Sequence, residues 1–102
     1  MVKHMIIWKL KDELSDKKET AQQIKIALEG LVGKIDGLLS MSIIIEGFAC
    51  SAGDIMMDSV FESLAALEAY QAHPRHQEIA NGLVRPAVSQ RLSFDYEAAN
   101  EG

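Results

Sequence analysis

Val2, His4, Ile6, Trp8 and Leu10 alternate with Lys3, Met5, Ile7, Lys9 and Lys11 at the start of the chain. A period of two marks a β-strand, because successive side chains of a strand point to opposite faces. The first phase is apolar apart from His4, and the centre of the second phase, Met5 and Ile7, is apolar too. Both sides of the strand's middle therefore need cover. This requirement limits the folds open to the chain more than any other feature.

The remaining elements follow from local signals. Ser15 is a good helix N-cap, with Asp16 and Glu19 placing negative charge near the helix start. Ala21, Ile24, Ala27 or Leu28, Leu31 and Val32 fall on one helical stripe, and Gly33 suits the position after the helix. Leu39, Met41, Ile43 and Ile45 alternate as a second strand. A glycine-bounded loop over 47–54 leads to a third strand, Ile55 to Phe61. So short a connection favours antiparallel pairing of the two. Ser63 can cap a second helix carrying Leu64, Leu67 and Tyr70, which His73-Pro74 interrupts. Pro74 suits the first position of a new segment running to Ala80, with Asn81-Gly82 expected to stop it. Leu92, Phe94 and Tyr96 then alternate with Arg91, Ser93, Asp95 and Glu97 as a fourth strand.

The order β-α-β-β-α-β is that of an α+β, ferredoxin-like subunit. Right-handed crossovers put both helices on one face of a four-stranded antiparallel sheet. The other face keeps Met5, Ile7 and apolar residues of the neighbouring strands. Burying each such side chain contributes roughly 1.5–3 kcal/mol, so a partner sheet is the economical cover. The simplest partner is a second copy, as a homodimer joined through the sheet face. At 102 residues the chain has room for one domain with a thin core, and chains of this size often complete a pocket with a second subunit. Residues 1–98 are expected to form the domain and 99–102 a frayed tail.

Composition excludes several classes. Net charge is −5 and no segment concentrates lysine or arginine, so nucleic-acid binding has no electrostatic footprint. The single Cys50 can form neither an internal disulfide nor a thiolate metal site. No apolar run approaches the ~20 residues that cross a bilayer, and the amino terminus does not look like a signal peptide. A cytoplasmic protein without membrane attachment is the expectation. No glycine-rich phosphate loop, nucleophile elbow or CxxC pair occurs.

Several stretches resemble a known family. Val2-Lys3-His4-Met5-Ile6-Ile7-Trp8-Lys9-Leu10-Lys11 resembles the opening of the stress-responsive α/β-barrel (Dabb) domains, as does Gly33-Lys34-Ile35-Asp36-Gly37 ahead of strand two. The most specific piece is the Tyr-x-x-His-Pro-x-His run from Tyr70 through His73 and Pro74 to His76. It closes a matching stretch that begins at Phe61, and Phe94-Asp95-Tyr96 agrees at the end. The resemblance spans nearly the whole chain. It implies a ferredoxin-like subunit whose sheet packs on its mate's in a dimeric α+β barrel. Its implications for activity are weaker, because the family includes stress-associated proteins without an assigned reaction as well as plant polyketide cyclases. Related dimeric barrels include haem-degrading and quinol-type monooxygenases.

The candidate site residues are His76, His4 and Tyr70. His4 shares its face with Val2, Ile6, Trp8 and Leu10, so it is either a hydrogen-bonded core histidine or a proton-transfer group tuned by burial. His73 reads as a helix cap. The cyclase resemblance makes His76 a general base, assisted by His4. Tyr70 is either a donor to an enolate-like oxygen or a core aromatic. The chain departs from the cyclase pattern: the first helix has no Tyr, and Ile55 stands where that branch has a histidine. His73, His76 and His4 lack a carboxylate that would complete an obvious metal set, and no metal or cofactor is expected. Asp12, Glu13 and Asp95 read as solvent-facing acids. The expected function is a homodimer of unassigned activity binding a small apolar or carbonyl-containing ligand. The alternatives are a small enzyme using the histidine pair for proton transfer and a monooxygenase of a related barrel.

Overall fold

A computed structural model describes residues 1–99. Four strands form one antiparallel sheet: β1 (Val2–Leu10), β2 (Leu38–Ile44), β3 (Ile55–Phe61) and β4 (Val88–Glu97), in spatial order β2-β3-β1-β4. Helices α1 (Lys17–Glu29) and α2 (Leu64–Ala72) make the two crossovers, and the short helices α3 (Pro74–Ile79) and α4 (Arg85–Ala87) follow α2. This is the ferredoxin-like α+β arrangement. No helix among the described residues is long and apolar enough to cross a membrane. The expected frayed tail lies, from residue 100 onward, outside the described residues.

The alternation in β1 separates the faces as its sequence requires. Val2, His4, Ile6, Trp8 and Leu10 are all buried beneath the helices, beside Met57 and Phe61 of β3 and Ile24 and Leu28 of α1. On the opposite face Ile7 is 45% exposed and Ile44 43%. Register sets Leu92 opposite Ile7 and Phe94 opposite Met5, so both belong to that open face, where they are 72% and 70% exposed.

Three local expectations are corrected. The cap of α1 is Asp16, whose Oδ1 accepts from Glu19 N–H at 3.0 Å, rather than Ser15. That helix ends at Glu29, earlier than its apolar stripe suggests. Leu31 and Ile35 are still buried, but from turns in which Gly33 takes a left-handed φ of 87°. Asn81-Gly82 does not stop the segment after Pro74. A π-helical turn over Ala80–Val84 carries the chain through it into α4, closed by Arg85 N–H donating to Ala80 O. The burial of Ala80, Val84 and Ala87 outweighs the weak helix propensity of Asn and Gly.

His73 does cap the break, its Nδ1 accepting from Arg75 N–H at 3.1 Å. Gly37, at φ 86°, lies where a Cβ would come within 2.6 Å of the Ala66 Cβ, so only glycine fits between β2 and α2. The sheet's β2 edge is also closed. Lys25 Nζ donates to Ile43 O at 2.7 Å, and Ile43 N–H donates to Glu29 Oε2 at 2.9 Å. The two side chains are joined by a 2.9 Å ion pair, and together they occupy backbone groups that an edge strand otherwise offers to other chains.

Candidate functional site

The helices do not reach across the whole sheet. Over the β1–β4 side they leave a cavity of about 540 Å³, bounded by Ile6, Trp8 and Leu28 within and by the turn around Ala80, Val84 and Arg85 above. His4, Tyr70 and His76 all line it. The structure thus brings the three sequence-predicted residues to one space, although 72 positions separate the two histidines along the chain. A second, shallower concavity lies on the open face around Ile7, Ile44, Met56 and Leu92. Its floor is apolar, with Lys9, Asp54 and Arg91 at its border, and it contains no histidine or tyrosine.

His4 is 2% exposed, and its Nδ1–H donates to the Asp95 carboxylate from the facing position on β4. Asp95 is solvent-exposed, as its sequence context suggested, with its side chain 40% open, but one carboxylate oxygen also reaches in to His4. The polar phase of β4 lies on the helix side because the apolar phase is committed to the open face. With Nδ1 committed to that carboxylate, Nε2 is the ring nitrogen left for another partner. No buried side-chain nitrogen or oxygen among the described residues lacks a hydrogen-bond partner. Nε2, which no described residue engages, accordingly faces the cavity. The backbone beneath is fixed too: Ser59 Oγ, itself fully buried, donates to His4 O at 2.7 Å.

Aromatic rings link His4 to His76. The His4 ring meets Phe61 edge-on with centroids 6.2 Å apart, Phe61 lies 5.0 Å from Tyr70, and Tyr70 lies 4.3 Å from His76. Tyr70 is 1% exposed, and burial pushes its phenol well above the ordinary value, so it is a neutral O–H donor. By the same reasoning as for His4, its unengaged hydroxyl opens on the cavity.

His76 sits on α3 and is half-buried. Burial lowers its pKa, and the positive charges of Arg85 and Arg91 act in the same direction. Its Nδ1–H donates at 3.2 Å to Gln71 O, which works against them. The ring is therefore neutral at physiological pH, and Nε2 is again the free acceptor. The site accordingly offers two imidazole nitrogens, one ring backed by a carboxylate, and one phenolic donor, above an apolar inner wall of Ile6, Trp8 and Leu28.

Among the described residues no group of three or more His, Cys, Asp or Glu could hold a metal ion. Sequence reasoning missed Asp95 and the cavity's polar rim. The signal for Asp95 was the polar phase of β4, but reading it requires the β1–β4 register.

The stress-responsive A/B barrel domain model matches residues 2–98. No curated protein matches the chain. Among solved structures, a dimeric ferredoxin-like protein of unknown function from Bacteroides fragilis superposes with a TM-score of 0.86 at 26% identity, covering 95% of each chain. A dimeric ferredoxin-like protein of unknown function from Thermobifida fusca gives 0.81 at 19% identity, covering 95% of this chain and 90% of that one. The hydroxynitrile lyase of Passiflora edulis gives 0.80 at 17% identity, covering 99% and 95%. At such identities the last two speak to fold alone.

Proposed function

We propose, given that the chain belongs to the stress-responsive A/B barrel domain family, that it works as a homodimer holding a small, largely apolar, carbonyl-bearing ligand in the cavity of each subunit. The working unit is residues 1–98 of each chain, paired through the open sheet faces. The observation that carries the ligand is the convergence of His4 Nε2, His76 Nε2 and the Tyr70 hydroxyl on a space whose inner wall is Ile6, Trp8, Leu28 and Met57. Apolar walls with a few placed polar groups are the usual make-up of a small-molecule site. The dimeric Bacteroides neighbour supports the assembly.

The sole tryptophan, Trp8, is buried in the cavity wall and reports occupancy directly. Titration with 4-phenyl-2-butanone should give a saturable change in its fluorescence. Ala80→Leu, which fills the cavity from the π turn, should abolish that change. A wild-type signal that does not saturate, or an unaltered one in Ala80→Leu, would count against the site.

The His4–Asp95 pair favours a second reading, proton transfer. A carboxylate on Nδ1 orients the ring and leaves Nε2 for the ligand, the arrangement in which a histidine serves as an acid–base group. His4 or His76 would take a proton α to the ligand carbonyl while Tyr70 donates to the developing enolate oxygen. Wild-type protein in D₂O should then exchange the α-hydrogens of 4-phenyl-2-butanone faster than buffer, and His4→Gln and His76→Gln should not. Exchange at the buffer rate, with the ketone bound, would leave a binding protein.

A further inference from the structure

The cavity rim differs in charge from the rest of the chain. The protein carries a net −5, yet among the described residues no Asp or Glu lines the cavity, whereas Arg85 and Arg91 both do. They arrive from different elements, Arg85 from α4 and Arg91 from the helix-side phase of β4, opposite Trp8. Among the described residues neither takes part in an ion pair.

Each arginine is instead positioned by a neutral side chain. Arg85 Nη1 donates to Asn81 Oδ1, and Asn81 Nδ2 donates in turn to Gln77 Oε1 at 3.3 Å. Arg91 Nη1 donates to Ser93 Oγ at 3.4 Å. A guanidinium has five N–H groups, so most of each fork stays available. Both guanidinium groups share the cavity lining with His76 and lie near enough to disfavour its protonated form.

We propose that the ligand is an amphipathic carboxylate, its carboxylate held at the cavity mouth by Arg85 and Arg91 and its apolar body directed inward to Trp8, Leu28 and Met57. The proposal rests on the reading of this cavity as a ligand site and narrows the ligand's class. Planar guanidinium forks match a carboxylate in geometry as well as charge. A neutral ligand would leave both forks to water, and a bare anion would leave the apolar walls unfilled.

The test compares 3-phenylpropionate with its neutral counterpart 3-phenylpropionamide by Trp8 fluorescence. The acid should bind about tenfold more tightly or better, with the advantage shrinking as salt rises. Arg85→Gln combined with Arg91→Gln should bring the acid down to the amide's affinity and leave the amide's unchanged. Both arginines are exposed, so the fold should tolerate the change, and unaltered amide binding verifies it. Equal saturable binding of the two probes to wild type, or a preference that survives in the double variant, would overturn the carboxylate assignment alone. If neither probe alters Trp8, the ligand-site reading fails and this one with it.

Discussion

Phe94→Lys should dissociate the proposed dimer while leaving the subunit folded. Phe94 is 70% exposed on the open face, and its ring neighbour there is Tyr96 at a centroid distance of 6.0 Å, so the subunit's own core gains little from it. Fully burying such a side chain contributes up to roughly 3 kcal/mol, and with most of that area still open a mate would supply about 2 kcal/mol per copy. In an isologous interface the residue counts twice, giving about 4 kcal/mol, or a dissociation constant raised by about a thousandfold. The introduced ammonium would add a desolvation cost and repulsion from its own copy across the axis. Sedimentation velocity across a concentration series should show wild type as a dimer at micromolar protein and Phe94→Lys as a monomer, both with the same circular dichroism. Ile26→Lys is the control: Ile26 is 63% exposed on α1, away from the sheet, and its replacement should leave the mass unchanged. A dimer that survives Phe94→Lys with its dissociation constant unaltered, or that breaks equally in Ile26→Lys, would refute the assignment of the open face as the interface.

Other consequences are local. Tyr70→Phe should keep stability within about 1 kcal/mol, because no described residue engages the hydroxyl, yet weaken a carbonyl probe several-fold by removing a donor of about 0.5–1.5 kcal/mol; chemical denaturation and Trp8 titration read the two effects. His76 has a folded-state pKa below its ordinary 6.5, so the unfolded chain binds the extra proton first. Its contribution to stability is therefore complete above that value and lost as pH falls through the window beneath it. Urea midpoints across that window should slope less in His76→Gln than in wild type, and identical slopes would contradict the burial of its ring. Glu29→Ala should cost about 1–2 kcal/mol by leaving Ile43 N–H and Lys25 without their acceptor. Burial pushes the Glu29 carboxyl upward, but the Ile43 and Lys25 bonds outweigh it and hold the pKa below the ordinary value. The wild type should lose part of this stability as pH falls through the depressed Glu29 pKa, below the ordinary carboxylate value.

The fold was legible where periodicity and topology act together. The two-sided apolar centre of β1 announced both the helical roof and the uncovered face, and the alternating strands with their caps settled the element order. Local signals misled where burial overrode propensity. Asn81-Gly82 has the composition of a helix stop, but Ala80, Val84 and Ala87 are held on the core side and carry the chain through it. Asp16 displaced Ser15 as cap because both residue types serve and a shift of one position changes nothing in the pattern.

The site was half legible. His4, Tyr70 and His76 stand out as polar groups in apolar or motif contexts. Asp95, Arg85 and Arg91 do not, because their roles depend on where β4 registers against β1 and on the turn that aims α4. Neither can be read from spacing along the chain.

The most direct test is an isotope-filtered NOE experiment on labelled protein saturated with unlabelled 4-phenyl-2-butanone. Contacts from the ketone to the ring protons of both His4 and His76, together with Leu28 and Trp8, are the expected result. Contacts confined to Ile7, Leu92 and Phe94 would place the ligand on the sheet's outer face and contradict the cavity as the functional site.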